Sequence, residues 1–258
     1  MRRNHPAVYW LIRMPRSARF IAPGVAHHIT QRGTDRQSVF PSRRDRLTYM
    51  RLLREQAAVS NLPILAYCLM TKHIHLIAVP HEVPVLAEVM QRVHGRYAQY
   101  LNARRGRCGH LWQNRFHSCP LGASPQWAAL RYVEMNPVRA GLVADPRCYE
   151  WSSAEAHLSV EDPARIADLT FWRAAGGAAT WARLLNEPEM VVELKALRRA
   201  TYSGQPFEDQ VLRRKCMQND LCLGRRWPAS RPQRGGGEVL SARKWMGGST
   251  MIGSGCCE

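Results

Sequence analysis

The sequence is short of acidic residues. Asp and Glu together number 20 in 258 residues, whereas Lys and Arg number 37, which gives a formal net charge of +17 at pH 7. Most of the cations are arginines, whose planar fork of donors suits phosphate oxygens. An excess of this size favours a polyanionic partner, and nucleic acid is the usual one. A basic but merely solvated surface is the alternative interpretation.

Long apolar runs are also missing. No stretch of about 18 consecutive apolar residues occurs, so we expect no transmembrane helix. The basic N-terminus has only a brief apolar part, which is interrupted at Arg13, and this argues against a signal peptide. Met14 could be the natural start, in which case residues 1–13 are an N-terminal extension.

The usual signatures of metal, disulfide and nucleotide sites are absent. The eight cysteines are scattered without a C-x-x-C pair, which argues against a zinc ribbon or a secreted disulfide framework and fits a reducing cytoplasm. No H-E-x-x-H motif occurs, which counts against a metal-dependent hydrolase of another fold. A P-loop is missing as well, so no motif indicates a nucleotide-hydrolysing enzyme.

Hydrophobic patterning predicts strand, helix, strand, strand, helix, strand and helix, in that order. This order is typical of an α+β domain with a mainly antiparallel sheet. We expect that domain to span residues 14–160, followed by a helical C-terminal extension over residues 161–206. The basic tail at 207–258 is rich in Gly, Arg and Pro and lacks apolar periodicity, so we expect it to be disordered.

Local signals place the ends of several elements. Ser42 is a suitable N-cap for the first helix. Ser124 is expected to cap a later helix with Pro125 in its first turn, and Pro137 is expected to end that helix. The segment HLWQNRFHSCPL between these helices is compatible with a further strand.

The most unusual stretch is HIHLIAVP, which reads as a buried strand but carries two histidines. Side chains alternate across a strand, so His73 and His75 project from one face while Ile74 points to the other. Two imidazoles on one face can bind a single divalent ion. An H-x-H pair alone is weak evidence, because such histidines are more often hydrogen-bonded or at the surface.

Tyr132 and Asn136 strengthen the metal interpretation. They lie four residues apart on a predicted helix and therefore share a face. If that helix packs beside the histidine strand, a phenol and an amide oxygen reach the same ion. The tyrosine hydroxyl could then attack phosphorus. A mixed set of nitrogen and oxygen ligands suits Mg²⁺ or Mn²⁺ beside phosphates better than a closed zinc site.

Together with the segments around them, these residues give the chain a resemblance to a known family. From about Met14 to Ser153 it resembles the single-tyrosine HUH transposases, and most closely the REP-associated tyrosine transposases of bacteria. The matching segments, in chain order, are YCLMTKHIHLIAVP, GHLWQNRFHSC, RYVEMNPVRAGLV and YEWSSAEAH.

The resemblance implies a ferredoxin-like, mainly antiparallel sheet flanked by helices. It implies that His73, His75 and Asn136 hold Mg²⁺ or Mn²⁺ and that Tyr132 is the nucleophile. Such enzymes cut single-stranded DNA beside palindromic hairpins and form a 5′-phosphotyrosine link. The released 3′-hydroxyl later attacks that link and rejoins the DNA, so no ATP is consumed.

The same resemblance implies a bacterial cytoplasmic protein associated with the nucleoid. Its expected partner is single-stranded DNA with hairpin elements. The protein could be a monomer, as expected of REP-associated enzymes, or a homodimer that exchanges the tyrosine helix, as in related insertion-sequence enzymes. A domesticated or decayed relative that binds hairpins without cutting them is the alternative function.

Other residues compete with or adjoin the proposed nucleophile. Tyr97 belongs to an apolar helical stripe and is expected in the core. Tyr100 could replace Tyr132 only if its own helix flanks the histidines. Glu134 points away from the predicted site and is expected at the surface. Arg139 could approach the phosphate or cap the helix end.

Several arginines are expected to contact DNA phosphates, as a basic stripe on one helix and at two other positions. His27 and His28 are expected to be ordinary strand residues, and Trp112 and Phe116 to be core residues rather than base-stacking ones. The arginines expected to contact DNA phosphates are Arg32, Arg92, Arg96, Arg104, Arg105 and Arg115.

Overall fold

The structure, a computed structural model, describes residues 19–174, 177–187 and 191–207. All of them belong to a unit that ends at Arg225. The predicted N-terminal extension over 1–13 and the predicted disordered tail, apart from Phe207, lie outside the described residues.

A four-stranded sheet forms the centre of the described protein. Its strands have the spatial order β2-β3-β1-β4, and every neighbouring pair is antiparallel. His75 in the third strand lies opposite Thr30 of the first strand and Cys68 of the second. The strands are β1 (His27–Arg32), β2 (Ile64–Leu69), β3 (His73–Ala78) and β4 (His117–Pro120).

Helices connect and cover these strands. In the described ranges they are α1 (Arg43–Val59), α2 (Val83–Arg105), α3 (Ala123–Glu134), α4 (Asn136–Arg139), α5 (Ala154–Ser159), α6 (Leu169–Ala174), α7 (Gly177–Asn186) and α8 (Val191–Ser203). The predicted α+β class and the predicted order of elements through α3 are confirmed. None of the helices in these ranges is long and apolar enough to cross a membrane.

The alternation of side chains along the strands separates two cores. On one face, Ile29, Ile74 and Leu76 pack with the buried sides of α1 and α2. On the other face, Cys68 and Ile77 pack with α3 and with the helices that follow it. His73 and His75 have the same parity as Ile77, so β3 presents both imidazoles to the second face.

Two helix starts show how local chemistry sets the elements. Ser42 caps α1 as predicted, in a reciprocal capping box with Asp45. The prediction for α3 was wrong by two residues. Gly122, not Ser124, is the N-cap, because its extended backbone lets the helix begin at Ala123, and Pro125 is then the third helical residue.

The strand predicted over HLWQNRFHSCPL is shorter than expected. Only His117–Pro120 pairs with β1, and Trp112 contributes no more than an isolated bridge to Gly33. Between them the chain bends, and Gln31 Nε2 donates to the Asn114 carbonyl at 2.7 Å. A side chain thus satisfies a backbone acceptor that a continuous strand would have paired.

Candidate active site

The histidines of β3 open onto a cleft between the sheet and the helices of the second core. The rings of His73 and His75 are perpendicular, with centroids 4.9 Å apart. His75 is buried and His73 is half-buried. The cleft has a volume of about 750 Å³, and its lining includes His28, Tyr132, Asn136 and Arg198 in addition to the pair.

Tyr132 projects from α3 toward these imidazoles. Its ring centroid lies 5.4 Å from that of His75, nearly at right angles. Arg198 Nε, from α8, donates to the Tyr132 hydroxyl at 3.2 Å. The Arg139 guanidinium lies over the Tyr132 ring, 4.4 Å from its centroid. The phenol is therefore held between two cations at the edge of the histidine pair, within one chain.

Asn136 sits where α3 gives way to α4. Pro137 has no N–H, so it cannot donate to the Val133 carbonyl one turn earlier. The Asn136 side chain supplies the missing donor: its Nδ2 donates to the carbonyl of Val133 at 3.3 Å and to the carbonyl of Tyr132 at 2.8 Å. With the amide nitrogen committed to the helix, the side-chain oxygen is directed away from those carbonyls. The Asn-Pro step thereby fixes the side-chain oxygen of Asn136 near the tyrosine.

Burial keeps the imidazoles of the cleft neutral. It lowers the pKa of His73 from 6.5 to about 4, helped by the positive charges of Arg32 and Arg198. Burial likewise lowers the pKa of His28 to about 3. The pKa of His75 is well below its usual value, first through burial and then through the neighbouring His73 and His28. Neutral imidazole is the form that binds metal ions.

The imidazoles and the amide oxygen of the cleft would suit a divalent cation that also binds substrate. Among the described residues, no group of three or more His, Cys, Asp or Glu side chains could hold a metal ion. Two neutral imidazoles and one amide oxygen would leave coordination positions open for phosphate oxygens. Such a mixed set suits Mg²⁺ or Mn²⁺ at a phosphoryl site.

The comparison with protein families bears on this cleft. Residues 23–136 match the family model described as transposase, IS200-like. Over this segment, 114 of the 258 residues, the chain is similar to the IS200-like transposases. The matched segment includes β1, β3 and α3 and ends at Asn136, so His73, His75, Tyr132 and Asn136 all lie within it. The predicted family of single-tyrosine transposases is confirmed.

Two solved structures resemble this chain at low sequence identity. A REP-associated tyrosine transposase bound to a REP hairpin matches with a TM-score of 0.48 and 16% identity, over 60% of this chain and 92% of that one. A candidate transposase from Deinococcus radiodurans R1 matches with a TM-score of 0.32 and 18% identity, over 46% and 96%. No curated protein matches the sequence.

The six arginines predicted to contact DNA lie in three different places in the fold. Arg32 and Arg115 line the cleft, and Arg32 Nε hydrogen-bonds Gln113 Oε1. Arg92 and Arg96 instead line a separate groove on the outside of α2.

The two arginines at the end of α2 have partners within the fold. Arg104 pairs with the buried Asp45 at 2.7 Å, and Arg105 donates to the Ser38 carbonyl at 3.1 Å. Because α2 packs on α1, across the sheet from the histidines, none of the four α2 arginines lines the cleft.

The competing tyrosines lie on the apolar side of the sheet. Tyr97 is fully buried, as predicted, and its hydroxyl donates to the Val39 carbonyl at 2.6 Å. Tyr100 donates to Asp45 Oδ1 at 3.1 Å. Since α2 does not flank the histidines, the condition under which Tyr100 would replace Tyr132 is not met.

The prediction that Glu134 lies at the surface is wrong. Its side chain is fully buried and accepts from Ser153 Oγ at 2.5 Å, His157 Nδ1 at 2.5 Å and Trp181 Nε1 at 2.8 Å. Glu134 faces away from the cleft, as expected, but the helices after residue 153 cover that side of α3. The carboxylate joins α3 to α5 and α7 and so holds the helix that carries Tyr132.

Sequence reasoning missed several polar residues of the cleft, three of which contact one another or the proposed nucleophile and histidine pair. His28, expected to be an ordinary strand residue, stacks on His75 with ring centroids 5.2 Å apart. The alternation of β1 could have revealed it, because His28 shares a face with Thr30, which lies opposite His75. Arg198 and Thr201 come from α8, to which the sequence analysis assigned no site residue. Trp112 and Phe116 are half-buried and buried core residues, as predicted.

Proposed function

We propose that the protein is a metal-dependent single-strand DNA endonuclease and strand transferase that acts beside hairpins, in the manner of the REP-associated tyrosine transposases. One observation carries the proposal: Tyr132, whose hydroxyl accepts a hydrogen bond from Arg198, lines the same cleft as His73 and His75. The match of residues 23–136 to a transposase family supports the same activity.

In the proposed cleavage, the Tyr132 oxygen attacks a phosphorus atom of single-stranded DNA. A bond forms between that oxygen and phosphorus, and the bond from phosphorus to the 3′-oxygen breaks. The phenol loses its proton, and the leaving 3′-oxygen gains one. The product is a 5′-phosphotyrosine and a free 3′-hydroxyl. Rejoining is the reverse reaction with a second 3′-hydroxyl, and the number of phosphodiester bonds is conserved.

The residues around Tyr132 have distinct roles in this reaction. Arg198 donates to the phenol oxygen and so stabilises the negative charge that grows there when the tyrosine is expelled. Arg139, stacked on the ring, restrains its orientation. His73, His75 and Asn136 would hold Mg²⁺ or Mn²⁺. When bound, that ion supplies Lewis-acid polarisation of the phosphate oxygens.

The substrate strand would enter along the basic edge of the cleft. Arg32 and Arg115 lie on this edge, where their guanidinium groups suit backbone phosphates. A hairpin in single-stranded DNA is the proposed partner. Because Tyr132 lies against the histidines of its own chain, the geometry supports cleavage by a monomer, without exchange of the tyrosine helix between subunits.

A covalent adduct assay tests the proposal. Labelled single-stranded hairpins incubated with Mn²⁺ should yield a slower, denaturation-resistant protein–DNA species with the native chain and none with Tyr132→Phe. Tyr100→Phe is the matched control, since it removes a hydroxyl on the other side of the sheet. Hairpin binding without any adduct from the native protein would instead indicate a decayed, non-catalytic binder.

A further inference from the structure

A chain of hydrogen bonds runs from α8 to the metal-site histidine. Thr201 Oγ1 lies 2.7 Å from His28 Nδ1, and His28 Nε2 lies 3.0 Å from His75 Nδ1. All three side chains are buried, with exposures of 1%, 1% and 5% in that order. His75 Nδ1 is engaged in this chain, so Nε2 is the nitrogen that His75 can offer to the cleft.

The direction in which the hydrogen bonds of this series are donated decides whether His75 Nε2 can bind a cation. The Thr201 hydroxyl donates to the Leu197 carbonyl at 2.8 Å, one turn back in α8. Its oxygen then accepts from the His28 Nδ1–H, which leaves His28 Nε2 as an acceptor. His75 must therefore donate through Nδ1–H, and its Nε2 keeps a lone pair. The opposite direction would protonate Nε2 and remove it as a ligand.

We propose that Thr201 and His28 are positioning residues that hold His75 in the tautomer whose Nε2 lone pair faces the cleft. The proposal rests on the proposed function in one respect, namely that His75 binds a divalent cation there. A ligating histidine commonly donates its other ring N–H to an acceptor that fixes its orientation and tautomer. In this protein the acceptor is a second imidazole, itself oriented by a hydroxyl from α8.

This arrangement makes α8 part of the metal site. The helix lies outside the segment that matches the family model, yet it packs against β1 and β4 and supplies Thr201 to the second core. Arg198, one turn earlier, reaches the Tyr132 hydroxyl. Correct docking of one helix therefore sets the ligand state of His75 and contacts the nucleophile.

Four variants test the hydrogen-bond chain without DNA. Thr201→Val keeps the shape of the side chain but removes the acceptor, and His28→Leu removes the link. We expect each to lower Mn²⁺ affinity by about 10- to 100-fold, the usual effect of losing such an outer partner. Thr201→Ser and His28→Gln preserve an acceptor and a donor at the same places, and we expect them to bind Mn²⁺ within about threefold of the native protein.

Two measurements separate this role from a merely structural one. Electron paramagnetic resonance titration of the full chain with Mn²⁺ gives the affinity, and ¹⁵N-histidine NMR identifies the protonated nitrogen of His75. The native protein should show a protonated Nδ1 and an unprotonated Nε2, and Thr201→Val should shift His75 toward protonated Nε2. Thermal melting identifies any variant that fails to fold, and the Ser and Gln variants then still decide the outcome.

The results distinguish this proposal from the proposed function. Native-level Mn²⁺ affinity in both Thr201→Val and His28→Leu would overturn the positioning role, even if covalent DNA adducts still form. Protonated Nε2 on His75 of the native protein, or no Mn²⁺ binding by it, would also overturn it. Reduced affinity in Thr201→Val and His28→Leu with a native protein that forms no adduct would leave the positioning role intact and reject the transferase activity.

Discussion

The two faces of the central sheet use alternate residues of the same strands for different purposes. On β3, Ile74 and Leu76 enter the apolar core beneath α1 and α2, while His73 and His75 enter the cleft beside α3 and α8. The first face is covered by apolar packing with α1 and α2. The second face also has an apolar core, but its cleft is lined by polar side chains from distant parts of the chain. Alternate residues of one strand therefore belong to the apolar core and to the candidate site.

The largest expected effect comes from breaking the cleft face. His75→Ala removes one of the proposed ligands and the partner of His28 without touching the apolar core. We expect it to lower the rate of covalent adduct formation by at least about 10³-fold, because metal-assisted charge stabilisation contributes several kcal/mol. Adduct yield with Mn²⁺ and labelled hairpin measures the loss. A normal thermal melt must accompany it, and adducts at the native rate would mean that the histidine pair is not the metal site.

Breaking the apolar face should affect stability instead. Ile74 is fully buried next to both histidines in sequence. Ile74→Ala is expected to lower the free energy of unfolding by about 3 kcal/mol, through lost burial and the cavity left behind. Urea denaturation measures this change. At a temperature where the variant stays folded, its Mn²⁺ affinity should match that of the native protein. A large loss of affinity would show that the faces are not separable.

These two changes also show what the sequence can reveal. The period of two in HIHLIA predicts the faces of β3, and the i, i+4 spacing of Tyr132 and Asn136 predicts a shared helix side, because both patterns are local. The burial of Glu134 and the contact of Arg198 with Tyr132 depend on where the helices after residue 153 dock. No local pattern encodes that docking, so these partners were found only in three dimensions.

Low pH should also lower the stability of the fold, through a histidine that is buried on the apolar face. His94 of α2 is buried against the Tyr49 hydroxyl, 3.1 Å from its Nε2, and burial lowers its pKa from 6.5 to about 3. Between those values the unfolded chain binds a proton that the folded chain does not, so stability falls as the pH drops below about 6.5.

The contribution of His94 can be measured by comparing denaturation midpoints at pH 7 and pH 5. His94→Gln should reduce the difference between the two midpoints, because glutamine does not titrate. His27, whose pKa burial lowers to about 4, should retain its own part of the pH dependence in that variant. An unchanged difference in His94→Gln would contradict the contribution assigned to His94.

The smallest expected effects concern which face of the protein contacts DNA. Arg115 lines the cleft, whereas Arg92 lies on α2 beside Glu88, 3.9 Å away. Arg115→Ala should weaken binding of single-stranded hairpin DNA a few-fold and reduce the salt dependence by about one phosphate contact. Arg92→Ala should have less effect. Fluorescence anisotropy at several salt concentrations compares them, and an equal or larger effect of Arg92→Ala would extend the DNA surface to the outside of α2.

The central claim is that Tyr132 forms the covalent bond to DNA, and mapping the adduct tests it most directly. Trypsin cleaves after Arg131 and Arg139, which releases the peptide YVEMNPVR with Tyr132 at its start. After cleavage of a hairpin substrate and nuclease trimming, mass spectrometry should find the nucleotide phosphate on Tyr132 of this peptide. A nucleotide found on the peptide that begins at Tyr97 and contains Tyr100, or on no tyrosine at all, would contradict the account.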